Sequence, residues 1–394
     1  MATLDVDVAV IGGGPAGAAA ALTLLRYSAL RVALVERSSY EDWRPGEALS
    51  PAVMPLLRYL DAGHLLETHG HLASHGTAAA WGTPGLISRD FLFTGQGPGW
   101  HLDRAVFDRA LGGLVAERGG TVLLAATIVQ ATFSADRWRL EVRRDPEMRP
   151  QTVTAGFVID ATGRRAAFAR RLGARRTVHD RLFAVAGLCR FAGAPPRNTF
   201  TIVESGPLGW WYSARLPDGR MVVALMTDAD LVRERHLQTS STWWTLLQTT
   251  KHTRARLAGA VIDQPPVICP AFSQILRPIA ADRWVAAGDA AVGFDPLSAM
   301  GIGYAITSGI HAARAVHDAL TAGGTLLSAY GGGVERHYAR YLARQRAYYM
   351  MERRWPDAPF WTRRREPFSL LCSSKPHESR TDGQNSARRP ATGK

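Results

Sequence analysis

Three glycines, Gly12, Gly14 and Gly17, stand in a G-x-G-x-x-G spacing directly after the apolar run Val6, Val8, Val10 and Ile11. An acid, Glu36, follows about twenty residues later, closing a second apolar run from Arg31. This is the chemistry of a bound pyrophosphate. The first glycine permits a tight turn, the second lets backbone approach the phosphates, and the third lets a helix pack closely on its strand. Pro15 and Ala16 open that helix, whose unpaired N–H groups and dipole favour negative charge. Glu36 is the residue type that accepts hydrogen bonds from ribose hydroxyls, and Arg37 beside it is grouped with the same site. A glycine-rich turn of an ordinary α/β domain would not account for Glu36.

A second segment far along the chain complements the first. Trp284 to Ala287 read as a short strand, with Gly288-Asp289 at its carboxyl end, where α/β sheets bind ligands. An acid there can hydrogen-bond a sugar-alcohol chain. Pro296 to Gly301 lead into a helix starting near Ile302, whose first amides would face an anion or an electron-rich carbonyl. In a flavin site, that position would stabilise negative charge on the reduced ring.

The elements that must position these residues form a discontinuous α/β domain. Residues 3–60 predict strand, helix, strand, loop and a helix opened by Ser50-Pro51. Residues 62–100 read as loop, with Asp103 then capping an amphipathic helix that runs to Glu117. Strands are expected at about 120–144, and Val153–Ile159 leads to the turn Asp160-Ala-Thr-Gly163. Residues 175–275 carry strand-like runs such as Met221–Met226, clustered aromatics and a helix near 242–257. Two long helices are expected at about 298–322 and 327–352. The expected organisation is therefore a Rossmann-like α/β dinucleotide-binding domain at 1–174 and 276–371, the latter including C-terminal helices. An antiparallel β-sheet substrate domain is inserted at 175–275, and a disordered tail occupies 372–394.

Composition narrows the classes. The 394 residues are 46% hydrophobic and 21% charged, enough for a sizeable core. No apolar stretch approaches about 20 residues, and the chain enters a strand almost at once, so neither a membrane span nor a secretory leader is expected. Cys189, Cys269 and Cys372 are odd in number and widely spaced, which predicts a reducing, cytoplasmic setting and no cysteine metal site. His69, His71 and His75 have no acid or cysteine at ligand spacing, so solvated loop histidines and no metal are expected. The net charge is +13, with lysine only at 251, 375 and 394. No compact basic stripe interleaved with aromatics suggests nucleic acid.

Taken together, Gly12–Gly17, Glu36, Arg104, Asp160–Gly163 and Gly288-Asp289 with Pro296 and Gly301 resemble the FAD-binding signatures of the para-hydroxybenzoate hydroxylase-type monooxygenase superfamily. The resemblance covers about residues 5–350. It implies that Glu36 binds the adenosine ribose, that Arg104 lies near the phosphates or sugar, and that Asp289 binds the ribityl chain. Arg44-Pro-Gly-Glu47 resembles the loop that crosses near the flavin in the halogenase branch and in flavoproteins that mature tryptophylquinone enzymes. Tyr348–Trp355 and Phe360-Trp361 resemble the C-terminal helical segment of the latter, or else simply pack on the FAD domain.

Within that resemblance, the chemistry separates the branches. A flavin halogenase needs a lysine amine between the Gly-Glu loop and the Arg104 helix, and residues 1–250 hold no lysine. The halogenase Trp-x-Trp-x-Ile-Pro pattern is replaced by Tyr212–Pro217. The expectation is an enzyme: an FAD-dependent monooxygenase that hydroxylates an electron-rich aromatic through a flavin C4a-hydroperoxide. O2 is the co-substrate, and the target is a free aromatic molecule or a tryptophan in a polypeptide. Trp210 and Tyr212 should share one strand face and Trp211 the other, all three being candidate substrate walls or core. No second G-x-G-x-x-G occurs, so electrons come from NAD(P)H visiting the flavin or from a partner reductase. No catalytic acid or base is assigned. Halogenase, geranylgeranyl-reductase-like and non-catalytic flavin-binding alternatives stay open.

Overall fold

The computed structural model describes residues 3–144 and 149–365. The tail expected at 372–394 lies outside the described residues. In chain order, the elements that build the site begin with strand β1 (Leu4–Ile11), helix α1 (Pro15–Tyr27) and strand β2 (Val32–Val35). Strands β3 (Gly76–Ala80) and β4 (Ile87–Asp90), helix α2 (Arg104–Glu117), β5 (Thr121–Leu123) and β6 (Gln151–Asp160) follow. Next come β7 (Leu182–Phe191), β8 (Thr201–Gly206), β9 (Gly209–Arg215), β10 (Met221–Asp228) and β11 (Ala260–Pro270). Strand β12 (Trp284–Ala286) and helices α3 (Gly301–Thr321), α4 (Thr325–Met351) and α5 (Pro359–Arg365) complete the set.

The first sheet pairs β5, β2, β1, β6 and β12 in that order, all parallel. Its central strands are β-branched and buried on both faces, which explains their near-continuous apolar runs. Asp103 caps α2 as its sequence position suggests, accepting from Ala105 N–H at 3.0 Å and Val106 N–H at 3.1 Å. Helices α1 and α3 cover the same sheet, and both begin at its carboxyl edge.

The second sheet has the order β11-β7-β10-β9-β8-β3-β4. Two of its strands, β3 and β4, come from the stretch that the sequence suggests is loop, so this sheet draws on residues outside 175–275. Gly76-Thr-Ala-Ala-Ala80 has little intrinsic strand preference, and parallel pairing with β8 (Thr201 opposite Thr77) supplies what local sequence lacks. The helix expected near 242–257 is split into Ser240–Gln248 and His252–Arg256.

The glycine-rich turn is held by backbone geometry. Gly12 has φ +107°, and a Cβ there would sit 2.2 Å from the Ala161 carbonyl oxygen. Gly12→Ala should therefore cost about 2 kcal/mol or more in chemical denaturation, and a variant as stable as wild type would contradict this account.

Candidate active site

One large cavity, of about 2090 Å3, lies between the carboxyl edge of the first sheet and one face of the second. Drug-sized ligands occupy about 300–1,000 Å3, so this space can hold a dinucleotide together with a second molecule.

At one end, Gly12, Gly14, Pro15 and Ala16 line the cavity. The first helical bond of α1 runs from Ala18 N–H to Gly14 O (2.9 Å), and Gly14 offers no side-chain cap. The Ala16 N–H is therefore left without a helical acceptor and is available to an anion. Glu36 and Arg37 follow on the cavity wall. The Glu36 carboxylate accepts from Gly13 N–H at 2.7 Å and from Ser38 N–H at 2.9 Å, which fixes its orientation. Arg44 and Arg104 flank a fully buried Asp108, at 3.5 Å and 3.0 Å. Asp108 thus holds two guanidinium groups together at the cavity wall, and Arg104 also donates to Gly46 O at 3.1 Å.

At the other end, Gly163, Asp289, Pro296, Gly301 and Ile302 line the same cavity. Asp289 is paired with Arg164 at 3.3 Å, and Arg164 is anchored by the Phe272 and Phe294 carbonyls. Helix α3 starts here with no side-chain cap, so its 21-residue dipole points at the cavity. The donor set therefore fits FAD: an anion-binding turn and helix, a ribose-accepting acid, a second acid for a polyol, and a helix N-terminus for the ring.

Three residues assigned to cofactor contact do not reach the cavity. Gly17 lies under the turn, where a Cβ would sit 1.8 Å from Gly12 O, so its role is packing. Asp160 is fully buried and its carboxylate is consumed locally by Thr162, Phe168 N–H and Ala169 N–H. Gly288 is buried behind the loop and donates its N–H to Ser308 Oγ at 2.8 Å. In each case the residue shapes the site from behind.

On the second sheet, Trp210 and Tyr212 face the cavity with Ala184, Ala186 and Ala224. Trp211 does not: it packs on the other face against Trp243, with ring centroids 5.5 Å apart. It is therefore core rather than a substrate wall, as strand alternation requires. The C-terminal aromatics Tyr349, Phe360 and Trp361 pack on this sheet, and Tyr349 also reaches the loop at Asp295. Trp210 Nε1 donates to the Tyr349 hydroxyl (3.0 Å), and Trp361 Nε1 donates to Gly206 O (2.8 Å). His71, expected in solvent, is buried with Nδ1 accepting from Asp103 N–H at 3.2 Å. No three metal-ligating side chains converge among the described residues.

Sequence reasoning missed a buried polar chain at the cavity wall. His101 Nδ1 lies 2.8 Å from Arg215 O, so this nitrogen carries the proton. Burial pushes the His101 pKa down to about 4, leaving a neutral ring whose Nε2 accepts from the Thr201 hydroxyl at 3.0 Å. The Tyr212 hydroxyl adjoins both Thr201 and the buried Glu47 carboxyl, and burial raises its pKa well above the phenol range. Burial likewise raises the pKa of Glu47. These four residues come from three separate stretches, Thr201 and Tyr212 sharing the β8–β9 hairpin, and no local spacing signals them.

A family model described as an FAD binding domain matches residues 5–345, and the chain belongs to this family. Over 373 residues it is 36% identical to LodB of Marinomonas mediterranea, named as an FAD-dependent oxidoreductase, covering 93% of this chain and 98% of LodB. It is 25% identical to a tryptophan 2-halogenase of Chondromyces crocatus over 91% of this chain and 70% of that one. The flavin-dependent halogenase CmlS superposes with TM-score 0.80 at 28% identity, over 93% and 68% of the chains. QhpG, a peptidyl tryptophan dihydroxylase essential for tryptophylquinone cofactor biogenesis, shares the fold at TM-score 0.67 and 23% identity, over 91% and 78%. The protein is thus an FAD-dependent oxidoreductase of the halogenase-like branch of the monooxygenase superfamily.

The depressed pKa of His101 carries a stability consequence. The unfolded chain protonates this ring below about pH 6.5 while the folded chain does not until about pH 4. The stability contributed by its neutral form is present above pH 6.5 and lost as pH falls through that window. Between those limits, wild type should lose about 1.4 kcal/mol per pH unit more than His101→Gln in denaturant melts. Parallel slopes would show that His101 is protonated in the fold.

Proposed function

We propose that this enzyme hydroxylates the indole ring of a tryptophan within a polypeptide, using FAD, O2 and electrons from NAD(P)H or a partner reductase. One observation carries the reading: the second sheet presents Trp210, Tyr212, Ala184, Ala186 and Ala224 to the cavity, and among the described residues that line it there is no lysine. Hypohalous acid would find no primary amine there, which argues against halogenation despite the halogenase relatives. The likeness to QhpG, a peptidyl tryptophan dihydroxylase, supports the tryptophan target.

The geometry supports a large substrate. Ile87, Tyr348 and Met351 line the cavity yet are 67%, 56% and 59% exposed, and Phe93 just beyond β4 is 87% exposed. An apolar rim of this kind suits an incoming chain segment. Ala184, Ala186 and Ala224 leave room on the sheet for an indole, while Trp210, fixed by Tyr349, provides a rigid aromatic wall.

When bound, the flavin supplies oxygen activation. Gly14, Ala16 and Arg104 hold its phosphates, Glu36 its ribose and Asp289 its polyol chain, and the α3 N-terminus favours charge on its ring. The sheet and the Asp295–Pro296 loop enclose the reacting ring and keep bulk water from it.

The test supplies reductant, O2, bromide and either tryptophan or a tryptophan-containing polypeptide to the FAD-loaded enzyme. Mass spectrometry should show one or two oxygen atoms added to the polypeptide's tryptophan and no bromine. Brominated product would instead establish a halogenase, and oxidation of free tryptophan alone would refute the polypeptide target. Ala224→Leu should cut product formation at least about tenfold by filling the substrate space, with FAD affinity unchanged.

A further inference from the structure

The loop Arg44–Glu47 joins the cofactor end of the cavity to the substrate sheet, and its last side chain has no obvious structural task. Glu47 lines the cavity, yet it is only 1% exposed. Its Oε2 accepts from Gly46 N–H at 3.1 Å, while Oε1 is buried with no hydrogen-bond partner. Among the described residues it has no ion-pair partner. Arg104, the facing cation from α2, is already committed to Asp108 and to Gly46 O. From the sheet, the group facing Glu47 is the neutral Tyr212, backed by Thr201 and a neutral His101.

An ionised carboxylate so placed would have a desolvated, unpaired oxygen and no counter-charge of its own. A protonated one has the opposite character, an O–H at Oε1 with no acceptor supplied by the protein. Buried polar atoms are rarely left without partners unless they serve a ligand. The Thr201–His101 end of the chain reinforces this, because Thr201 gives its proton to His101 Nε2 and can only accept from Tyr212. Tyr212 then donates its one proton to Thr201 and has none left for Glu47. Every hydrogen bond in the row points away from the carboxyl, which stabilises its acid form.

We propose that Glu47 is the catalytic acid of oxygen transfer, holding a proton at Oε1 and giving it to the oxygen atom that departs as water. This rests on the monooxygenase reading above. In the overall step an aromatic C–H, O2, two electrons and two protons yield C–OH and water. A reduced nicotinamide-class donor gives a hydride, which is both electrons and one proton. Glu47 gives the second proton and is reprotonated by a solvent proton relayed through water in the cavity. Burial raises its pKa, as an acid working near neutral pH requires.

Two measurements on the full chain test this. In infrared difference spectra of wild type against Glu47→Gln, without added cofactor, a protonated-carboxyl C=O band should persist at neutral pH. Carboxylate bands in its place would overturn the proposal. In the FAD-loaded enzyme, Glu47→Gln should bind FAD as wild type does but form at least tenfold less hydroxylated product per reductant consumed, with hydrogen peroxide replacing it. Unchanged coupling would overturn the role. A wild-type enzyme that hydroxylates no aromatic donor would overturn the functional reading, and the acid's role with it, leaving the infrared result to report protonation alone.

Discussion

The site depends on backbone hydrogen bonds that lock the carboxyl ends of four parallel strands together. Gly12 N–H donates to Val35 O at 2.8 Å, Ala161 N–H to Ile11 O at 2.8 Å, and Ala287 N–H to Asp160 O at 2.9 Å. Each bond ties the turn after one strand to the end of its neighbour. Residues near 12, 36, 161 and 288 are thereby brought to one edge, although the chain between them builds most of a second domain. A dinucleotide needs rigid backbone donors spread along its length, and a parallel sheet supplies them at fixed spacing.

Everything else in the cavity is referred to that edge. The second sheet is held against it by the C-terminal helices as well as by the covalent connections. Tyr349 on α4 donates to Asp295 Oδ2 at 2.7 Å and accepts from Trp210, joining the loop beside α3 to the substrate sheet through one hydroxyl. Asp295 is fully buried, and burial raises its pKa; Gln345 donates to it at 2.9 Å. Helix α4 therefore covers the FAD domain with Tyr330, Val334, Tyr338 and Tyr341 and reaches the second sheet with Tyr349, a strut that sets the width of the cavity. Small residues on the facing strands then keep that width open, and this is a choice of volume as much as of polarity.

Electrostatically, the two ends of the cavity are treated differently. The cofactor end carries arginines that are partly neutralised in advance: Asp108 compensates Arg44 and Arg104, and Asp289 compensates Arg164. The other end carries less charge: burial keeps Tyr212 and His101 neutral and raises the pKa of Glu47. A flavin site gains from this division, because phosphates are gripped at a distance while the ring would meet few mobile charges.

Local sequence was most informative where function constrains backbone. The Gly12–Gly17 turn, the acid at Glu36, the Gly288-Asp289 segment and the Asp103 cap are each determined by a few adjacent residues whose types have one good structural use. The alternation at 210–212 likewise separates Trp211 from its neighbours with no more than a two-residue period. Three expected contacts, Gly17, Asp160 and Gly288, were read as touching cofactor when they support the turns from behind, because a motif shows that residues act together but not which of them faces the ligand. Strands β3 and β4, the burial of His71 and the Glu47–Tyr212–Thr201–His101 row were decided by tertiary structure alone. Weak strand formers became strands because a neighbour offered its edge, and the buried polar row exists only where Glu47, His101 and the β8–β9 hairpin meet out of water. Sequence determines what backbone geometry and residue type can specify within a turn or a strand; burial, and the protonation states that follow from it, belong to the assembled fold.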